Sequence, residues 1–187
     1  MRIALTGSHG TGKTTLLKAL KEKYPNYDIQ LESLTRKAVG SPDKLNFTTP
    51  EESERLIAKA YMDSFLSAPS DFIASRHMID VLAYSMYLKK KNDNISEEIM
   101  LDIEAKIEEI RDKNLFDLVV YIPIEFAQKE AGEYREGQQE NPDYQKDVDT
   151  IIKFLLWGYG IPYITIGGTV EQRVNKMEKY LDAKNQI

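Results

Sequence analysis

The sequence predicts an α/β domain built on a parallel sheet, and three observations carry that expectation. Short apolar runs alternate with stretches of helical periodicity, the pattern of strands joined by helical crossovers. Five such runs occur, at 2–6, 27–31, 71–74, 118–122 and 163–166, each short and continuous, as in strands covered on both faces. A glycine-rich segment, Gly7 to Thr14, stands between the first run and a helical stripe of Leu16, Leu17 and Leu20.

The helices between the runs carry physical start signals. Thr49-Pro50-Glu51-Glu52 places a capping hydroxyl before a proline at the first helical position, followed by two acids where the helix dipole favours them. Leu56, Ile57, Ala60, Tyr61 and Phe65 then form the expected buried stripe. Asn141-Pro142-Asp143 opens another helix in the same way, and Thr169-Val170-Glu171-Gln172 fits a capping box. Residues 89–94, with three lysines, read as a solvated break before a helix at 96–113 whose inner face is Ile99, Ile103, Ile107 and Ile110. The stretch 123–141 has no clear pattern and reads as a lid-like loop.

Composition narrows the function classes. The 187 residues fit a single domain, 1–187, and 25 basic against 30 acidic residues give a formal charge of −5. That charge disfavours a globally basic nucleic-acid binder while permitting a local anion pocket. No cysteine is present, so a disulfide framework, a thiolate metal site and a cysteine nucleophile are all excluded. No apolar run approaches the roughly 18 residues that span a bilayer, so a cytoplasmic protein without a membrane partner is expected.

Gly7-Ser8-His9-Gly10-Thr11-Gly12-Lys13-Thr14 matches G-x-x-x-x-G-K-[ST] at every fixed position. Glycines let the backbone curl so that its N–H groups face inward, and the helix that follows adds its positive end, which suits phosphate oxygens. The candidate ATP site is therefore Gly7, His9, Gly10, Thr11, Gly12, Lys13, Thr14 and Thr15. Lys13 would reach the β- and γ-phosphates, and the Thr14 hydroxyl is the candidate ligand of Mg²⁺. The side chain of His9, at a variable position, is expected to face solvent. Gly167-Gly168-Thr169, after the fifth run, either lets a flat base approach Gly168 or simply turns the chain into a helix.

The motifs of a switch GTPase, N-K-x-D and D-x-x-G, are absent, and neither the third nor the fourth run ends in the acid typical of mechanical ATPases. Small-molecule kinases can work without that acid, spreading the electrostatic task over loop, metal and arginines. Candidates for that task lie after the strands, at the ligand edge of an open parallel sheet. Glu32 is placed as a general base or indirect metal ligand, and Arg36 as a clamp on an anionic acceptor. Arg76 is the best acceptor contact, Asp80 one turn later either joins it or holds it in place, and His77 reads as packing. In the loop at 123–141, Arg135 is the cation best able to close over a γ-phosphate, with Lys129 the weaker choice. Phe65, Tyr84 and Tyr87 either line an acceptor pocket or belong to the core.

Together the phosphate loop, Glu32-x-x-x-Arg36, Arg76-x-x-x-Asp80-x-x-Ala83-Tyr84, the lone Arg135 and Gly160-Ile161-Pro162-Tyr163 resemble the P-loop kinases related to phage-type deoxynucleoside monophosphate kinases and nicotinamide riboside kinases, within the AAA-like P-loop NTPases. The resemblance implies a three-layer fold with a five-stranded parallel sheet ordered 2-3-1-4-5. It implies ATP at the loop and an acceptor beneath helices within about 50–112. Lys13, Glu32, Arg76 and Arg135 would be catalytic, Glu32, Arg36, Arg76 and Asp80 would face the acceptor, and ATP with Mg²⁺ would be required. One departure matters: such kinases carry an acid before the arginine of strand three, and this chain has Ser75. A monophosphate acceptor brings its own nucleophilic oxygens and chiefly needs cations, so the departure favours a deoxynucleoside monophosphate. A nucleoside or nicotinamide riboside kinase with Glu32 as base and an ATP-binding regulatory or scaffold module are the alternatives, and a homodimer is left open. If the chain is phage-encoded, the host cytoplasm is its expected location.

Overall fold

The side chains of β1 (Arg2–Thr6) alternate between two layers, and that alternation organises the molecule. Ile3 and Leu5 pack with Leu16, Leu17 and Leu20 of α1 (Lys13–Lys23) and with Val174, Met177 and Leu181 of α7 (Val170–Lys184). Ala4 turns to the larger core, built from α2 (Leu34–Val39), α3 (Glu51–Ser67), α4 (Met78–Asn92), α5 (Glu97–Asp112) and α6 (Tyr144–Gly158). This computed structural model describes residues 1–31, 34–39, 51–92, 95–125 and 143–184.

The five strands pair in the order β2-β3-β1-β4-β5, all in parallel, with β2 at Asp28–Ile29, β3 at Phe72–Ala74, β4 at Leu118–Tyr121 and β5 at Tyr163–Thr165. Ile3 lies opposite Ile73 on one side and Leu118 on the other. The expected fold and strand order are both observed. Because the chain leaves β1 for β2 and β3 on one side of it and then passes from β3 to β4 on the other, the crevice outside the carboxyl ends of β1 and β3 is the switch point where this architecture places ligands. The outer strands are shorter than the apolar runs because pairing ends early: β2 matches β3 only through Asp28 and Ile29.

The helices agree with most of the start signals. Ser96 caps α5 through Ile99 N–H, and its isoleucine face is buried as expected. Thr169 and Gln172 form the reciprocal pair of a capping box, with Thr169 N–H donating to Gln172 Oε1 at 2.9 Å and Gln172 N–H to Thr169 Oγ1 at 3.3 Å. Two expectations need correction. The lysines at 89–91 belong to the last turn of α4, where cations suit the carbonyl end of a helix. The expected starts at Asn141-Pro142 and Thr49-Pro50 lie outside the described residues, and Asp143, next before α6, makes no side-chain cap bond. On α3 the buried face is rotated from the expected stripe: Leu56 is exposed and Ala60 half-buried, whereas Ser53, Glu54, Ala58 and Met62 join Ile57, Tyr61 and Phe65 inside.

Candidate functional site

Residues 7–12 bridge β1 and α1 in a conformation that glycine makes possible. Gly7 has φ +140°, and a Cβ there would stand 2.5 Å from the carbonyl oxygen of Ile122. Gly12 has φ +87°, with its Cβ position 3.0 Å from Arg173 Nη1. The backbone conformation favours glycine at both sites, and at Gly7 the backbone carbonyl of Ile122 leaves no room for a larger residue. Lys13 is buried and folds back over the loop, its Nζ donating to Gly7 O at 2.5 Å, Ser8 O at 2.7 Å and Thr11 Oγ1 at 3.3 Å. The ammonium thus lies over the loop that leads into the N-terminus of α1, while Thr14 and Thr15 are exposed on the first turn.

The start of α4 forms the facing wall. His77 Nδ1 accepts Ile79 N–H at 3.2 Å, and Asp80 Oδ2 reaches back to accept His77 N–H at 2.9 Å, a capping box made by a histidine and an aspartate. Accepting at Nδ1 leaves the ring proton on Nε2, and burial pushes the His77 pKa down to about 4. The other oxygen of Asp80, a fully buried residue, accepts Gly7 N–H at 3.0 Å, so the helix start is keyed to the phosphate loop. Burial raises the Asp80 carboxyl above the usual carboxylate range, opposed by Lys13, Arg76 and the two N–H donors. Asp80 is therefore a support for loop and helix, and its nearest contact to Arg76, 3.9 Å, is the weaker of its interactions.

Arg76 lies between these walls. Its guanidinium sits 5.1 Å from the Tyr84 ring centroid, and its Nη1 is buried with no hydrogen-bond partner among the described residues. Burial works against its charge, but Tyr84, Tyr61 and Asp80 outweigh that effect and hold the group as a cation. Tyr84 also touches the loop: its hydroxyl accepts His9 N–H at 2.9 Å and lies 3.1 Å from His9 Nδ1. The His9 ring packs 4.8 Å from that of Tyr144, and Gln145 Nε2 donates to His9 O at 2.7 Å. The expected solvent-facing His9 side chain is thus corrected. It is 7% exposed, because α4 and α6 both close on it.

A third contact ties the loop to the far end of the sheet. Arg173, in the first turn of α7, donates to Thr11 O at 2.6 Å, Gly168 O at 2.8 Å and Glu125 Oε2 at 2.7 Å. Glu125 accepts Gly168 N–H at 2.7 Å as well, and these donors hold its carboxyl below the ordinary range. A Cβ on Gly167 would collide with the same carboxylate, which explains the small residue there.

The structure therefore brings Gly7, Gly10, Thr11, Gly12, Lys13, Arg76 and Asp80 to one edge of the sheet and links Gly168 to them through Arg173. Glu32, Lys129 and Arg135 lie outside the described residues; Arg36 is in α2, but its side chain lies outside them too. Phe65 and Tyr87 are core residues, whereas Tyr84 belongs to the site. Ser75 donates to Gln30 Oε1 from both its hydroxyl, 2.8 Å, and its N–H, 3.2 Å, and Gln30 Nε2 donates to Ser64, so a neutral amide network occupies the position where an acid was in question. Among the described residues no cluster of three His, Asp or Glu could hold a metal, and no helix is long and apolar enough to cross a membrane. Sequence reasoning missed Gln145, Glu125, Arg173 and Gln30. Only Gln30, at the end of an apolar run, carried a positional signal.

With this geometry in view, the comparisons with known proteins fall into place. The model of a P-loop family described as an AAA domain matches residues 2–173, and the chain belongs to that family. No curated protein matches it. Among solved structures it is similar to deoxyadenosine kinase from M. mycoides with bound dATP, at 15% identity and a TM-score of 0.73, covering 97% of this chain and 99% of that one. It is also similar to NadR in complex with NR, at 15% identity and a TM-score of 0.70, covering 96% of this chain and 51% of that one. Thymidylate kinase from Candida albicans is similar at 14% identity and a TM-score of 0.63, over 98% and 92% of the two chains. These likenesses show a nucleotide-kinase-like fold.

Proposed function

We propose that the protein is an ATP- and Mg²⁺-dependent kinase that transfers the γ-phosphoryl group to a small nucleotide, a deoxynucleoside monophosphate. The observation that carries this reading is Arg76: a buried cation beside the phosphate loop, with an Nη1 donor that has no hydrogen-bond partner among the described residues and only a long, 3.9 Å contact to Asp80. A guanidinium so placed calls for an anion, and an acceptor phosphate supplies one in the planar geometry it fits. The neutral Ser75–Gln30 network supports the same choice, since it offers no carboxylate base there and a monophosphate needs none.

The loop fits the donor. Lys13 is positioned to exchange its loop carbonyl partners for β- and γ-phosphate oxygens, and the N-terminus of α1 that follows the loop would add its positive end. Thr14, exposed at that turn, is the residue that would hold Mg²⁺, which binds through few protein ligands alongside phosphates and water. When bound, that ion neutralises charge on the phosphate oxygens. An acceptor phosphate oxygen then bonds to the γ-phosphorus as the bond to the β-bridging oxygen breaks, yielding ADP and a nucleoside diphosphate. Glu32, Arg36 and Arg135 complete the proposed acceptor and lid set, and Gly168 the proposed donor site.

The test is a panel of nucleosides and nucleoside monophosphates with ATP and Mg²⁺, assayed for phosphorylated products. Deoxynucleoside diphosphates are expected, and Lys13→Ala should abolish their formation while keeping the fold. ADP release at one rate with and without every acceptor would refute the kinase reading. Phosphorylation of nucleosides alone would move the acceptor to that class, with Glu32 as base.

A further inference from the structure

Glu54 is a buried acid that the reaction above does not use. It is 4% exposed and lies on the buried face of α3, outside the stripe expected from the sequence. One oxygen accepts the Ser85 hydroxyl of α4 at 2.8 Å, and the other has no hydrogen-bond partner among the described residues. Around it stand Arg76 from the β3–α4 turn and Tyr144 from α6, each electrostatically coupled to it. Burial of this carboxyl opposes folding through its desolvation, and an apolar side chain would fill the seam between α3 and α4 without that penalty. Groups kept at such a cost concentrate where ligands are recognised.

The position along α4 gives direction. Asp80, keyed to the phosphate loop, and Ser85, keyed to Glu54, are five residues apart, about 7.5 Å along the helix. The region between α3, α4 and α6 therefore has a cation, Arg76, near the phosphate loop and an acid, Glu54, further from it. A phosphate is repelled by the acidic end and drawn to the cationic one, while the acidic end suits a hydrogen-bond donor.

We propose that Glu54 is a specificity-determining residue that accepts a hydrogen bond from the nucleoside part of the acceptor, either a sugar hydroxyl or a base N–H. Ser85 acts as its positioning residue. This inference rests on the acceptor-site reading above and adds the orientation of the acceptor, phosphate toward Arg76 and nucleoside toward Glu54.

The experiment measures binding by calorimetry and turnover with ATP and Mg²⁺ for the full chain and for Glu54→Gln and Ser85→Ala. The ligands are matched pairs that differ by one donor: 2′-deoxy against 2′,3′-dideoxy monophosphates, and bases with and without the ring N–H. At about pH 8, where the Glu54 carboxyl is ionised, affinity in Glu54→Gln for the ligand carrying the relevant donor falls by about 10- to 100-fold, the range for a hydrogen bond to a charged group. Its partner lacking that donor changes less than threefold, and the pair that responds identifies sugar or base. Ser85→Ala shows the same selectivity change at smaller size. Equal losses across every pair, or none, would overturn the assignment, since a merely structural Glu54 moves all ligands together. Binding of the panel without phosphorylation would sink the kinase reading while the pairwise comparison still decides Glu54; binding of no nucleoside or nucleotide sinks both.

Discussion

Arg173 joins three segments: the phosphate loop at Thr11, the glycine turn at Gly168 and, at Glu125, the segment that follows β4. It is 3% exposed, so its guanidinium is held by those partners and not by water. Removing it leaves the Thr11 and Gly168 carbonyls without this donor and the Glu125 carboxylate with Gly168 N–H alone of the two. Arg173→Met is expected to cost about 2 kcal/mol or more in stability, read from urea unfolding. It should also raise KM for ATP more than KM for the acceptor, because the contacts it loses are on the donor side of the loop. Arg173→Lys keeps the charge without the planar fork and should recover only part of either effect. The role was invisible in the sequence, where one arginine in the first turn of a helix reads as an ordinary surface cation.

The turn between β3 and α4 shows how an element start becomes part of the site. His77 and Asp80 cap the helix, and the same aspartate accepts the loop's Gly7 N–H, so one side chain sets both geometries. Asp80→Ala leaves two buried N–H groups unpaired and should lower stability by about 2–4 kcal/mol. A fall in kcat exceeding any change in KM would follow if loop and Arg76 lose their alignment. Asp80→Asn, which retains one acceptor oxygen, should be intermediate; wild-type stability in both variants would remove the capping assignment. The spacing of Arg76 and Asp80 was legible, as was the arrival of both at the ligand edge, because strand ends in a parallel sheet converge there. The direction in which Asp80 points was not, since it depends on Gly7, 73 residues away. The rotation of α3 has a similar cause: an apolar stripe counts Leu56, but packing against α4 and α5 selected the face carrying Glu54, Ala58, Tyr61 and Phe65.

Across the whole molecule, two buried titrating groups pull stability in opposite directions with pH. His77, lowered to about 4 from 6.5, stays neutral in the native state while the unfolded chain takes up a proton, so its contribution is lost as pH falls from about 6.5 to 4. Glu54, raised to about 7 from 4.5, holds a proton that the unfolded chain has released, so stability declines as pH rises from about 4.5 to 7. Each shift corresponds to about 3 kcal/mol, and over the shared window the two slopes oppose one another. Glu54→Gln removes one of them. The difference in unfolding free energy between Glu54→Gln and the unaltered protein should be small at pH 4.5 and grow to about 3 kcal/mol in favour of the variant at pH 7.5. A difference constant across that range would contradict the raised carboxyl.

What the sequence determined by itself is the part of the molecule written in local chemistry. The phosphate loop, the alternation of strand and helix and the capping box at Thr169 each need only neighbours within a few residues, and each is where it was expected. The tertiary structure decided which polar side chains meet. Tyr84 with His9, Gln145 with the loop, Arg173 with Thr11 and Glu54 with Ser85 are joined across separations of 31 to 162 residues. A lone polar residue in a helix carries no period and no spacing rule, so its partner is fixed only when the layers close and burial forces each donor and acceptor to find another.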